Sequence, residues 1–244
     1  MPIHKCAARV LEPNLQTAGE CRQILRLANS GGDGIKRPVR TIVSGKRGPA
    51  IVTTAELTRL QENMRQAGVN RARAVFFDRD GTLMEEVHYC GDPTKVVVFP
   101  GVPEALRKLK GAGFRTIVIT NQSGIGRGLI TKAQYQVVEA EFLSQIGEGL
   151  LDATYFCPDV PSIPSTRRKP EPGMVWEAAV DFDIDLAGSY FVGDKSIDIE
   201  CGRRAGAHTI LVRTGYGAEQ VCQPDFTADD VVQAVHLVLE RLSG

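Results

Sequence analysis

From Arg73 onward, short apolar runs alternate with helical patterns, and this alternation constrains the fold more than any other feature of the chain. The apolar runs predict strands at 74–77, 116–119, 153–157, 189–192 and 209–212. The patterns between and after them predict helices over 102–112, 131–146, 173–182, 197–205 and 229–242. Continuous apolar strands separated by helices indicate a buried parallel sheet. We therefore predict an α/β fold with a doubly wound, mostly parallel sheet and helices on both faces.

The N-terminal region has a different character. Residues 1–53 show no clear periodicity, whereas 54–67 predicts a helix with apolar residues on one face. We therefore predict an N-terminal extension over 1–70 and a single larger domain over 71–244. Either translation begins near Met64 and the upstream stretch is an over-extended reading, or the extension is an appendage that packs or dimerises.

The overall composition excludes several function classes. The chain has 29 basic and 29 acidic residues, so the basic footprint typical of nucleic-acid binding is missing. No run approaches the ~20 apolar residues of a membrane helix. The six cysteines form no C-x-x-C pair and indicate reduced thiols in a cytoplasmic protein. We expect a cytoplasmic protein with no nucleic-acid or membrane partner.

The sharpest local signal follows the first predicted strand. Asp78-Arg79-Asp80-Gly81 places two carboxylates two residues apart, and side chains at that spacing in extended backbone point the same way. We expect Asp78 and Asp80 to share one side of a site, with Arg79 turned away. Mg²⁺ suits such oxygen ligands and bridges to phosphate. The alternative for this string alone is an ordinary acidic turn.

Three later strings follow predicted strands or precede helices. Residues 120–124 offer two hydroxyls, two amides and a glycine suited to phosphate oxygens. Arg168 and Lys169 supply fixed positive charge. Residues 193–198 supply another carboxylate for a cation. Each string alone could be a polar loop, a basic turn or a helix start, but all four in this order are improbable by chance. Ligands of parallel sheets bind at these strand ends.

These strings resemble the haloacid dehalogenase (HAD) superfamily of phosphotransferases. The resembling strings are Phe77-Asp78-Arg79-Asp80-Gly81-Thr82-Leu83, Thr120-Asn121-Gln122-Ser123-Gly124, Arg168-Lys169-Pro170 and Val192-Gly193-Asp194-Lys195. They are most similar to those of its small phosphatases with a minimal cap, which act on D,D-heptose 1,7-bisphosphate or histidinol phosphate. The resemblance spans roughly residues 72–216. The N-Q-S-G-I-x-R-G string favours the heptose-bisphosphate enzymes.

The resemblance implies a role for each matching catalytic residue. Asp78 matches the nucleophile that forms an aspartyl-phosphate, and Asp80 matches the general acid and base. Thr120 and Lys169 match the residues that stabilise the phosphoryl group. Mg²⁺ is implied as cofactor, with Asp78, the Asp80 backbone carbonyl and Asp194 as its ligands.

The resemblance also implies a set of substrate-binding residues. Arg168 matches the arginine of substrate recognition. The remaining positions of the set are Glu86, Val87, His88, Tyr89, Asn121, Gln122, Ser123, Arg127 and Lys195.

One stretch departs from the pattern of these relatives. Many carry a zinc-binding loop with C-x-H and C-x-C after the third strand, but residues 158–167 contain neither Cys nor His. A single thiol at Cys157 cannot supply a four-coordinate structural zinc site. We therefore expect no zinc, with prolines stiffening the loop instead.

Taken together, the resemblance implies a Mg²⁺-dependent phosphatase that removes the 7-phosphate of D-glycero-D-manno-heptose 1,7-bisphosphate. The expected partner is a small phosphorylated sugar or metabolite, and we expect a monomer. The alternative enzyme is a histidinol-phosphate or other small phosphomonoester phosphatase. A HAD fold used only for binding is disfavoured, because Asp78, Asp80, Lys169 and Asp194 are all present.

Overall fold

The computed structural model describes residues 9–10, 40–45, 48–53 and 71–242. The chain separates into two units, one formed by residues 12–70 and the other by residues 1–11 and 71–244. The division predicted at residue 70 stays a prediction. The helix predicted over 54–67 lies outside the described residues.

The strands and helices predicted from residue 73 onward all occur, in the predicted order. The strands are β1 (Arg9–Val10), β2 (Arg40–Gly45), β3 (Gly48–Thr53), β4 (Ala74–Phe77), β5 (Arg115–Asn121), β6 (Ala153–Cys157), β7 (Tyr190–Gly193), β8 (His208–Val212) and β9 (Phe226–Ala228). The helices are α1 (Val102–Gly111), α2 (Ser123–Gly126), α3 (Lys132–Ile146), α4 (Gly173–Asp181), α5 (Ser196–Ala205) and α6 (Val231–Glu240). Single turns of 3-10 helix lie at Pro93–Lys95, Leu186–Gly188 and Gly217–Glu219.

Seven of the described strands form one sheet in the order β1-β6-β5-β4-β7-β8-β9, and every pairing in it is parallel. The sequence prediction of a doubly wound parallel sheet is therefore confirmed. The chain runs outward from β4 through β5 to β6, then crosses to β7 on the other side of β4. Ligands of such sheets bind beyond the carboxyl ends of the strands at this reversal.

Helices cover both faces of the sheet. Val75 and Phe77 of β4 point to one face, which also packs against residues of α1, α3 and α6. Ala74 and Phe76 point to the opposite face, which packs against residues of α4 and α5. This alternation follows from the two-residue period of a strand. Because both faces are buried, the polar residues at the strand ends are held by a rigid core.

Several described elements were not predicted, including α2. β2 and β3 form an antiparallel hairpin within residues 12–70, β1 adds a short strand beside β6, and β9 follows β8 at the opposite edge. Within the described ranges, no helix is long and apolar enough to cross a membrane.

Candidate active site

Three buried carboxylates meet at the carboxyl ends of β4 and β7. Asp78 directly follows β4, and its backbone N–H donates to the carbonyl of Val192 in β7 at 3.0 Å. Asp194 follows β7, and Asp198 lies in the first turn of α5. One oxygen from each of these three side chains lies within 4.8 Å of the others. Such crowding of negative charge requires compensating positive charge.

Lys169 supplies that positive charge from the loop before α4. Its Nζ lies 2.8 Å from Asp78 Oδ1 and 2.8 Å from Asp198 Oδ1, and it donates to the Ile119 carbonyl at 2.7 Å. The side chain is 1% exposed. Burial alone would lower the pKa of Lys169, but Asp198 and Asp78 together raise it well above its ordinary value. The ammonium group therefore stays charged throughout the physiological pH range.

The three carboxylates differ in their readiness to ionise. Burial would raise the pKa of Asp78, but Lys169 and Lys195 outweigh burial and lower it. Burial raises the pKa of Asp194 to about 7, and the nearby charge of Asp78 contributes to this rise. Burial also raises the pKa of Asp198 to about 6, although Lys169 opposes the shift. At neutral pH, Asp78 is therefore the carboxylate that is most fully ionised.

Asn121 fixes the backbone of Lys169. Its Nδ2 donates to the Lys169 carbonyl at 3.1 Å, and its Oδ1 accepts from the Lys169 N–H at 3.0 Å. Asn121 was predicted to contact the sugar phosphate, and it does line the cleft described below. Its hydrogen bonds add a second role, which is to join the end of β5 to the loop that carries the buried ammonium group.

Asp80 lines the same cleft as Asp78, as the two-residue spacing predicts. Arg79 is not among the residues that line the cleft, but its guanidinium also donates to Asp80 Oδ2 at 3.2 Å and Oδ1 at 3.1 Å. Gln122 Nε2 donates to Asp80 Oδ2 at 2.8 Å and to Thr120 Oγ1 at 3.0 Å. Both oxygens of the Asp80 carboxyl group therefore accept hydrogen bonds from neighbouring side chains.

These residues border a cleft with a cavity volume of about 260 Å³. Besides Asp78, Asp80, Thr120 and Lys169, its lining includes the predicted substrate-binding residues Glu86, Val87, His88, Tyr89, Asn121, Gln122, Ser123, Arg168 and Lys195. Cys90, Gly124, Ile197 and Tyr216 also line it and were not predicted. Arg127 is exposed at the end of α2 and lies outside this lining. The volume suits a small metabolite.

Two charged contacts shape the rim of the cleft. Lys195 Nζ lies 2.8 Å from Glu86 Oε2, and it is 5.0 Å from the centre of the Tyr216 ring. Arg168 Nη1 donates to the Asp159 carbonyl at 2.8 Å, in the loop after β6. These contacts place two positive charges beside the buried carboxylates, where an anionic substrate would be attracted.

The carboxylate cluster fits a hard divalent cation. Asp194 also accepts from Thr82 Oγ1 at 3.4 Å and from the Tyr216 N–H at 3.0 Å, so its orientation is fixed. Asp78, Asp194 and Asp198 would hold such an ion through carboxylate oxygens, which Mg²⁺ prefers. The side chain of Asp80 is not part of this cluster, and its backbone carbonyl remains the predicted ligand.

Asp198 was absent from the predicted ligand set. The signal for it was present, because Asp194 and Asp198 are four residues apart and α5 begins between them. Asp198 therefore lies in the first turn of α5, close to the carboxyl end of β7, which Asp194 follows. The Lys195 N–H donates to Asp198 Oδ2 at 3.0 Å and thereby stabilises the start of α5. An aspartate at the start of a helix is explained by capping alone, so the contact of Asp198 with Lys169 was not predicted.

We expect magnesium affinity to increase with pH. Cation binding requires ionised carboxylates, and the pKa of Asp194 is raised from 3.8 to about 7. Below that pH the ion must displace a proton, so its Kd should rise by up to about tenfold per pH unit. Calorimetric titration with Mg²⁺ at several pH values, in buffers of different ionisation enthalpy, measures both Kd and proton release. A constant Kd between pH 5.5 and 8, roughly the window set by these titrations, would contradict this expectation.

The same raised pKa affects stability without a metal. Between 3.8 and about 7, the folded protein binds more protons at Asp194 than the unfolded chain does. The contribution of Asp194 to the free energy of unfolding of the metal-free protein should therefore fall as pH rises through this range. Added Mg²⁺ should reverse that trend, because it binds the ionised folded form.

Gly81 offers a test of how tightly the cluster is packed. Its φ is +84°, and a Cβ at this position would collide with the carboxylate of Asp194. Gly113 has the same φ of +84°, but a Cβ there would meet no atom of the described chain within 4 Å. We expect Gly113→Ala to cost about 1–2 kcal/mol from backbone strain alone.

Gly81→Ala should cost more than Gly113→Ala, because the added methyl group displaces Asp194. It should also reduce turnover by about tenfold or more, whereas Gly113→Ala should retain it. Thermal melts and steady-state activity assays of both variants measure the two effects. Equal stability and activity of the two variants would show that Asp194 is free to move.

A buried aspartate paired with a buried lysine lies beside two more carboxylates at the reversal point of a parallel sheet, as the resemblance to the HAD class of phosphotransferases implies. The comparisons with known proteins agree with this class. The HAD-hydrolase-like family model matches residues 166–236.

Curated relatives and a solved structure narrow the class further. A D-glycero-D-manno-heptose-1,7-bisphosphate 7-phosphatase of Chlorobaculum tepidum is 38% identical over 185 residues, which are 67% of this chain and 92% of that protein. A D-glycero-beta-D-manno-heptose-1,7-bisphosphate 7-phosphatase of Yersinia pestis is 40% identical over 152 residues, 58% of this chain and 81% of that protein.

A crystal structure of the D,D-heptose 1,7-bisphosphate phosphatase of B. bronchiseptica, complexed with magnesium and phosphate, superposes with a TM-score of 0.64. It is 29% identical, and the match covers 69% of this chain and 99% of that one. The chain belongs to the heptose-bisphosphate phosphatase family of HAD-like hydrolases. It is therefore a phosphoric monoester hydrolase of the HAD type.

Proposed function

We propose that this chain removes the 7-phosphate of D-glycero-D-manno-heptose 1,7-bisphosphate through an aspartyl-phosphate intermediate on Asp78. The observation that carries the proposal is the buried contact of 2.8 Å between Lys169 Nζ and Asp78 Oδ1. It keeps one carboxylate ionised, and so nucleophilic, at the floor of a cleft sized for a small metabolite. The substrate is inferred from the heptose-1,7-bisphosphate 7-phosphatases to which this chain is similar.

In the first proposed step, a carboxylate oxygen of Asp78 forms a bond to phosphorus while the bond from phosphorus to the sugar oxygen breaks. Asp80 donates a proton to the departing oxygen. In the second step, Asp80 takes a proton from a water molecule whose oxygen attacks phosphorus. The bond between phosphorus and Asp78 then breaks, which releases phosphate and restores both side chains.

The remaining residues of the cleft stabilise the phosphoryl group during these steps. Lys169 and the hydroxyl of Thr120 line the cleft together with Asp78, where they would stabilise the negative charge that develops on the phosphoryl group. Asp78, Asp194 and Asp198 would hold Mg²⁺, which supplies positive charge that offsets the charge of the phosphate oxygens when bound. A magnesium cofactor accords with the B. bronchiseptica complex. We propose that the loop after β6 carries no zinc, since residues 158–167 lack Cys and His.

Arg168 and Lys195 are proposed to recognise the parts of the substrate beyond the transferred phosphate. Both line the cleft and both are cations, which suits the second phosphate of a bisphosphate. We also propose a cytoplasmic monomer that binds neither nucleic acid nor membranes, from the neutral charge balance and the scattered cysteines.

A panel of phosphorylated metabolites tests the substrate. Phosphate release from both anomers of D-glycero-D-manno-heptose 1,7-bisphosphate, from histidinol phosphate and from fructose 1,6-bisphosphate should be measured with Mg²⁺. We expect kcat/KM for one heptose anomer to exceed that for histidinol phosphate by about 100-fold or more, because the cleft must pair both phosphates. Histidinol phosphate as the best substrate would overturn the proposal.

A further inference from the structure

Two adjacent arginines at the end of the loop after β6 have different surroundings. Arg167 forms an ion pair with Glu177 of α4, and its Nη2 donates to the Phe156 carbonyl at 3.1 Å. Arg168 instead lines the cleft, and it has no carboxylate partner within the described part of the chain. A guanidinium whose charge is not compensated can bind a phosphate through two parallel hydrogen bonds. The direction in which the loop holds Arg168 therefore affects how well a phosphate in the cleft is bound.

A ring of hydrogen bonds holds Arg168 in its place. The Ser165 hydroxyl oxygen accepts from the N–H of Arg167 at 3.2 Å and from the N–H of Arg168 at 3.2 Å. The same hydroxyl lies 3.7 Å from the Sγ of Cys157, the last residue of β6. The Cys157 thiol donates to Asp159 Oδ2 at 3.4 Å, and the Asp159 carbonyl accepts from the Arg168 guanidinium at 2.8 Å. The ring therefore ties the two ends of the loop to each other.

The thiol in this ring has the protonation state that the ring requires. Cys157 is fully buried, and burial raises the pKa of its thiol above the ordinary value. It therefore stays protonated at neutral pH, so it donates to Asp159 and accepts from the Ser165 hydroxyl. A serine hydroxyl can accept two hydrogen bonds while it donates one. Each polar atom of the ring thus meets a partner of the complementary kind.

We propose that Ser165 is a positioning residue that holds Arg168 in the direction from which it binds the second phosphate of the substrate. Lys169 follows directly in the chain but is fixed independently, by Asn121 and by two buried carboxylates. Loss of the Ser165 hydroxyl should therefore disturb Arg168 and leave the buried ammonium group in place. The inference rests on the proposed function, in which Arg168 recognises the phosphate that is not transferred.

Substrates with two phosphates and with one provide the test. Ser165→Ala should raise KM for the heptose bisphosphate by about tenfold, the order of one hydrogen bond to a charged group, and change kcat by less than about twofold. Both constants for p-nitrophenyl phosphate, which has no second phosphate, should stay within about twofold of those of the original protein. Ser165→Thr keeps a hydroxyl and should restore the original KM. Ser162→Ala is the matched control, because Ser162 is an exposed serine of the same loop.

A double-mutant cycle shows whether Ser165 acts through Arg168. Arg168→Gln should itself raise KM for the bisphosphate selectively. In that background Ser165→Ala should raise KM by less than about twofold more, because substitutions within one hydrogen-bonded network are not additive. If Ser165→Ala does not fold, Cys157→Ala opens the ring at another point and should give the same selective rise in KM.

Three results would overturn the inference while Arg168→Gln remains selective. They are an unchanged KM for the bisphosphate in Ser165→Ala, an equal loss with both substrates in step with a lower Tm, and full additivity with Arg168→Gln. Each rejects the positioning role of Ser165 and leaves the proposed function standing. If Arg168→Gln is itself not selective for the bisphosphate, the role proposed for Arg168 is rejected, and the inference is rejected with it.

Discussion

Asp78→Asn is expected to lower kcat by at least about 10⁴-fold, because an amide oxygen cannot replace the carboxylate that attacks phosphorus. The fold should survive the change. Lys169 keeps its contacts with Asp198 and the Ile119 carbonyl, and the crowded cluster loses one of its negative charges. Steady-state phosphate release and a thermal melt of the variant, each with and without Mg²⁺, measure the two effects.

Asp229→Asn is a suitable control for this substitution, because the side chain of Asp229 is 75% exposed. It should match the original protein in activity and Tm. Substantial activity in Asp78→Asn, with no contaminating phosphatase, would reject Asp78 as the nucleophile. A large drop in its Tm would show instead that Asp78 is needed mainly for folding.

Lys169→Met is expected to damage both catalysis and stability. Removal of the ammonium group leaves three buried carboxylates within 4.8 Å of one another. Breaking a buried ion pair by deleting one partner costs about 3–5 kcal/mol. We expect kcat to fall by about 10³-fold or more as well, because the transferring phosphoryl group loses its buried cation. Chemical denaturation and phosphatase assays measure these losses.

Magnesium distinguishes the electrostatic explanation from a simple packing defect. If the carboxylates repel each other in Lys169→Met, Mg²⁺ should raise the Tm of this variant more than that of the original protein. Lys95→Met removes an exposed lysine and should change neither property. A Lys169→Met variant as stable as the original protein would show that the cluster is already neutralised by protons.

The carboxylates at the strand ends could be placed from the sequence because local patterns encode them. Ala74–Phe77 is an apolar run that ends at Asp78, and the sheet follows from the spacing of such runs. Parallel strands bring their carboxyl ends to one edge, so Asp78 and Asp194 meet without any knowledge of loop geometry.

The contact between Arg79 and Glu139 could not be placed in the same way, because the two residues are distant in the chain. Arg79 and Glu139 are 60 residues apart, and only the packing of α3 brings them together. A weak signal did exist. Tyr135, Glu139 and Phe142 follow the i, i+4, i+7 spacing of one helix face, so a charged residue interrupts an otherwise apolar stripe.

The β2–β3 hairpin shows the opposite difficulty, in which a local signal is obscured. Thr41, Ile42 and Val43 are β-branched residues suited to a strand, and Ile51 and Val52 follow in the second strand. Pro49 and the glycines around it are typical of loops and weaken the alternating pattern. The pairing of two short segments therefore decides a structure that neither segment specifies alone.

The central claim is that Asp78 carries the phosphoryl group between substrate and water. A single turnover of the heptose bisphosphate with enzyme in excess, quenched in acid and analysed by peptide mass spectrometry, tests it directly. We predict a transient phosphoryl group on the peptide that contains Asp78, formed and lost at rates compatible with kcat. Phosphate release at the normal rate with no phosphorylated peptide, or with the phosphoryl group on another residue, would contradict the account.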